Sequence, residues 1–141
     1  VRDDSKGRGG SRGAPFEYKV VVRDTEHPIT KGLPAEFLQA KEGLYDGLRG
    51  PAKNMEVIAT GFAKGGSERH EPVLMTITYG KGRIFHTVMG HDAKSMLGVA
   101  FQETFIRGTE WAATGEVTIP IPSNFPGPKK PVLEKFSVKA E

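Results

Sequence analysis

Four ionisable side chains stand out for the chemistry they could do: His70, Glu71, His91 and Asp92. An imidazole changes charge near neutral pH and ligates metals through its neutral nitrogen, while a carboxylate takes up protons or binds hard cations. Two of each, brought together, could hold a divalent metal or serve as acid and base in proton transfer. The pairs are twenty residues apart, so a fold must unite them. The plainer alternative is that Asp92 caps a helix, both histidines bond to loop carbonyls and Glu71 is solvated. By spacing alone, that alternative has the advantage.

The elements that would position these residues are a hairpin and a helix. Residues 71–79 and 82–89 are rich in apolar and β-branched side chains and flank Gly80-Lys81, a two-residue loop whose leading glycine suits a type II′ turn. Pairing Tyr79 with Gly82 sets Ile77 opposite Ile84, Met75 opposite His86 and Val73 opposite Val88 on one apolar face. Carried outward, the register sets His70 opposite His91. His86, mid-strand on that face, is expected as a hydrogen-bonded core histidine. Leu97, Phe101, Phe105, Gly108, Trp111 and Ala112 recur at helical spacing as a core stripe, with Asp92 or Ser95 as the cap and an end near Gly115. His91 and Asp92 then occupy a strand-to-helix loop, where open α/β sheets bind ligands.

Upstream, residues 16–23 read as a strand that stops at 24–28, because the residue before Pro28 is driven away from helix. That explains His27 without chemistry. Residues 35–39 suit a single helical turn, 44–45 a short strand and 55–62 a longer one. Glu42, Tyr45 and Asp46 could reach a pocket, but nothing in the sequence fixes their direction. Residues 117–131 carry too many prolines for a central strand and read as an edge or wrapping segment. Gly80-Lys81-Gly82 lacks the length and the downstream Lys-Ser/Thr of a phosphate loop, and no Gly-x-Ser-x-Gly, His-Glu-x-x-His or dinucleotide fingerprint occurs.

With 141 residues, the chain suits one domain. It has no cysteine, which excludes disulfides, thiolate metal sites and Cys nucleophiles within it. The net charge of +3 comes from the ends: residues 1–14 and 126–141 each carry +2, leaving −1 between them. A nucleic-acid module would carry that charge on its folded surface, so nucleic-acid binding is not expected. Residues 1–14, basic and Gly-rich, read as a flexible segment. No apolar run is long enough to span a bilayer, and no signal pattern precedes the Val at position 1, which suggests a processed product or a fragment. The expectation is a soluble chain, cytoplasmic, or periplasmic or secreted if a signal peptide lies upstream.

In order and spacing, HPITKGLP, Glu42-x-x-Tyr45, HEPVLMTITYGKGRIFHTVMGHD and FIRGTEWAATGE resemble the ThuA-like (trehalose utilisation) family, over residues 15–116. The resemblance implies an α/β, flavodoxin-like fold of the class I glutamine-amidotransferase type, a three-layer arrangement whose parallel sheet would include the hairpin strands. It also implies a role in carbohydrate utilisation, chiefly bacterial, with a sugar-derived small molecule as ligand and a hydrolase-like or sugar-modifying activity. His27, Glu42, Tyr45, His70, Glu71, His91 and Asp92 stand at the family's polar motif positions: the last four as catalytic candidates, with a divalent metal as one option, and the first three as substrate-binding candidates. The likeness is to the C-terminal half of the family. The other half, which would supply a further histidine and any amidotransferase cysteine, has no counterpart here, and residues 117–141 form a Pro-rich tail. Strands left as open edges would favour aggregation, a partner or a homo-oligomer. The competing reading is a non-catalytic structural or accessory domain of a glycoside-active protein.

Overall fold

Tyr18, Val20 and Val22 are buried at every second position of Phe16–Val22, the pattern of a strand with one face against a core. The computed structural model describes residues 9–50 and 52–134, and this strand is its β2. Ser11–Arg12 is β1, Glu36–Glu42 β3, Tyr45–Asp46 β4, Met55–Phe62 β5, His70–Tyr79 β6 and Gly82–Thr87 β7; a 3-10 turn, Ser95–Leu97, precedes the helix α1, Val99–Thr114. Five strands form one sheet in the order β3-β2-β5-β6-β7, and β1 pairs separately with β4.

Every strand pairing among the described residues is antiparallel, so the expected parallel sheet is replaced by a meander built on hairpins. The β6–β7 register is as expected, with Ile77 opposite Ile84 and Met75 opposite His86. Gly80 has φ +58° at the turn, as the first central residue of a type II′ loop requires. Residues 36–42 are a strand and not a helical turn. Phe37, Gln39, Ala40 and Glu42 are buried there, and pairing with β2 overrides weak local strand preference. Ser11 and Arg12 lie within the stretch read as flexible, yet they pair with β4; residues 1–8 lie outside the described part.

The sheet has two unlike faces. Glu56, Thr76 and Phe85 are aligned across β5, β6 and β7 and point one way. On that side α1 lies so close that a Cβ on Gly108 would fall 2.2 Å from the Phe85 ring. Trp111 is buried in the core as expected and packs against His27, whereas Phe105, placed in the same stripe, is 47% exposed. Arg107, buried on α1, donates to the carbonyls of Pro28, Ile29, Lys31 and Ile119, tying the helix to the 28–31 turn and to the segment that follows it. That segment wraps, as its prolines imply: Gly127 accepts from Leu38 at the β3 edge, Val132 from Val99, and Phe125 meets Phe37 edge-on. The opposite face carries the rows Met55–Ile77–Ile84 and Val57–Met75–His86. Towards β7 it is open: Ile84 is 44% exposed and His86 is exposed as well, a surface histidine and not a core one, while Met75 beside it is buried.

Candidate functional site

The polar groups at the carboxyl end of β7 are organised by one buried side chain. Glu42, at the end of β3, is fully buried, and all four of its partners are donors. Its Oε1 accepts from the Tyr18 hydroxyl at 2.9 Å and from Gln39 Nε2 at 2.8 Å. Its Oε2 accepts from the backbone N–H of Gly90 at 2.8 Å and of His91 at 2.9 Å. Consecutive N–H groups converging on an anion form a nest, and Gly90 supplies the left-handed backbone, φ +83°, that turns them inward. Burial, and then the charge of Glu42 beside it, push the Tyr18 hydroxyl well above its ordinary value, which keeps it protonated as a donor.

With its backbone fixed, the His91 ring stands half-buried against Tyr45, three residues beyond Glu42. Tyr45 Oη lies 3.2 Å from His91 Nδ1, and the rings meet edge-on with centroids 5.9 Å apart. They border a cleft of about 460 Å³ that also takes in Leu48, His86 and Thr87. A tyrosine hydroxyl, two imidazoles and a threonine beside apolar surface suit a small polar ligand held by a few directed hydrogen bonds.

The other candidates fall elsewhere. The β6–β7 ladder ends at Leu74 and Thr87, with one further bond from Val88 to Val73, so it does not run on to pair His70 with His91. His70 pairs instead with Phe62 on β5, its ring edge-on to the phenyl and its Nδ1 3.1 Å from the Thr60 hydroxyl. It lines a second hollow of about 580 Å³, floored by Met55, Val57, Met75 and Ile77, that shares Leu48 and His86 with the His91 cleft. Glu71 is buried and not solvated: its Oε1 accepts from Ser67 Oγ and Arg69 Nε, both at 2.7 Å, and from the Gly47 N–H at 3.2 Å. Burial pushes its carboxyl up, but these bonds and the Arg69 charge hold it below the ordinary value. Asp92 accepts from the Ser95 N–H at 2.8 Å, which draws its carboxyl down, but neither it nor Ser95 caps α1, whose N-cap is Gly98 with no side-chain bond. His27 is buried, accepts the Ile29 N–H through Nδ1 at 3.2 Å and is held below its ordinary value by burial.

Among the described residues, no three His, Cys, Asp or Glu side chains gather closely enough to hold a metal ion, and no helix is long and apolar enough to cross a membrane. Another hollow, of about 540 Å³ beside the 28–31 turn, has Arg107 in its lining, but that guanidinium is committed to backbone carbonyls. Tyr18, Gln39 and Gly90 belong to the site and were not among the expected residues. The one available signal was Tyr18, a tyrosine at an inward strand position, which needs a partner for its hydroxyl.

No curated protein matches the chain. A solved structure of a ThuA-like protein from Parabacteroides merdae is 40% identical and superposes with a TM-score of 0.86 over 91% of this chain and 49% of its own. A second, a ThuA-like protein from Bacteroides uniformis, is 20% identical with a TM-score of 0.60 over 77% and 47%, and supports the fold alone. The chain thus spans about half the length of these structures. The family model described as trehalose utilisation, ThuA, matches residues 6–112, which include β2 to β7, the Glu42 network and most of α1. The chain therefore belongs to the ThuA family.

Proposed function

We propose that the chain is the C-terminal part of a flavodoxin-like ThuA domain that takes part in carbohydrate utilisation and binds a sugar-derived molecule in the cleft beside His91. The observation that carries this reading is the His91 ring, held by Tyr45 on a backbone anchored through Glu42 and facing a cleft of about 460 Å³. Sugar hydroxyls need partners that both donate and accept, which Tyr45, His86, Thr87 and His91 offer together. A ring nitrogen bonded to Tyr45 fixes the imidazole and leaves Nε2 to exchange a proton with a ligand hydroxyl or carbonyl. Because the Gly90 and His91 N–H groups are spent on Glu42, the ligand is held by side chains and not by that nest.

Calorimetric titration of the full chain with trehalose, glucose and keto-sugars, with and without divalent cations, tests the assignment. We expect measurable binding that weakens at least about tenfold in His91→Ala, the loss of one good hydrogen bond to a polar ligand. Absence of binding, or binding unchanged in the variant, overturns it. A second reading, a non-catalytic accessory or assembly domain, is favoured by the open sheet face, where Ile84 and Leu48 are 44% and 39% exposed.

A further inference from the structure

The cleft poses a question of control: what keeps one imidazole at a fixed place on a loop between a strand and a helix. Glu42 and Tyr45 come from one short stretch and reach His91 from two sides. Glu42 takes its backbone N–H together with that of Gly90, and Tyr45 takes Nδ1 of its ring. Glu42 is fully buried, so it meets no ligand itself. Its four partners all donate, which suits a group that only accepts, as an ionised carboxylate does. The loop has little freedom to settle another way. Gly90 needs its positive φ, and any Cβ there would fall 2.4 Å from the Phe101 ring on α1.

We infer that Glu42-x-x-Tyr45 is a two-point clamp that positions His91, with Glu42 a positioning residue setting the backbone and Tyr45 setting the ring. Glu42→Gln separates the two points. A carboxamide keeps the size but carries no charge. With its oxygen toward the Gly90 and His91 N–H groups, their bonds lose charge assistance and its NH₂ faces the donors of Tyr18 and Gln39; with its NH₂ toward them, both N–H groups face a donor. Tyr45→Phe keeps the ring contact and frees Nδ1.

This inference rests on reading His91 as the group presented to the ligand, yet its test needs no ligand, so a failed sugar titration leaves it standing. The experiment treats the full chain with diethyl pyrocarbonate, follows modification of each histidine by peptide mass spectrometry, and follows amide exchange by NMR. His70 and His86, both exposed, are the internal references. In Glu42→Gln we expect His91 modification relative to the references, and Gly90 and His91 amide exchange, to rise roughly five- to tenfold, as loss of a charge-assisted hydrogen bond implies. In Tyr45→Phe, relative His91 modification rises while those amides keep their protection. If Glu42→Gln does not fold, Tyr18→Phe, which removes one donor from Oε1, is expected to show the same pattern more weakly. Relative His91 reactivity unchanged in both the clamp variants, or all three histidines rising in step, overturns the clamp.

Discussion

Glu42 and Glu71 are both buried carboxylates, each engaged by several donors, and they are built on opposite plans. Glu42 has no cation among its hydrogen-bond partners. It gathers uncharged donors from β2, from its own strand and from the loop after β7, as far as 49 residues away. Glu71 is served mainly by neighbours in sequence, Ser67 and Arg69, with one distant donor, the Gly47 amide. The difference is one of reach. Removing Glu42 strands donors in three parts of the fold, whereas removing Glu71 frees two loops, and the exposed arginine of one can turn to water.

The largest expected effect would break the comparison if absent. Glu42→Ala should lower unfolding stability in urea by about 3 kcal/mol or more, and Glu71→Ala by about 1–2 kcal/mol. Equal costs would mean that reach does not matter. A smaller effect sharpens the Glu71 side. Its carboxyl is held below the ordinary value, so its contribution is complete above the unfolded value, about 4.3, and is lost as pH falls through the folded one. The stability gap between the native chain and Glu71→Gln should therefore be widest near neutrality and close in acid, as read from urea midpoints across pH.

The smallest effect concerns His27, a buried group that must stay neutral to accept the Ile29 N–H. Its value is lowered, so its contribution is complete above about 6.5 and fades as pH falls from there through the folded value. Part of the drop in Tm between pH 7.5 and 5.5 should vanish in His27→Asn, whose side-chain oxygen can accept the same N–H but takes up no proton.

What could be read in advance divides along the same line of local against distant causes. The hairpin and its register were legible because a two-residue turn and the alternation beside it fix them locally. Residues 35–39 looked like a helical turn because the strand state of 36–42 comes from pairing with β2, some twenty residues earlier. The pairing of His70 with His91 failed because the chain leaves the ladder after Thr87 to enter the Gly90 turn. His86 looked buried because its apolar neighbours do lie on its face, and Val73 and Met75 there are buried, but His86 stands on the edge strand β7, where that face is exposed. The Glu42 motif was visible as a spacing, Glu-x-x-Tyr, while its meaning depended on backbone amides, which carry no letter in a sequence.

Arg107 carries a consequence for motion. Its guanidinium is shared among the carbonyls of Pro28, Ile29, Lys31 and Ile119, so none of these segments can lift away without leaving a desolvated charge short of an acceptor. The second half of α1, the 28–31 turn and the start of the wrapping segment should therefore open as one cooperative unit. Their slowest amide protons would then exchange at a common rate, set by the release of a single side chain.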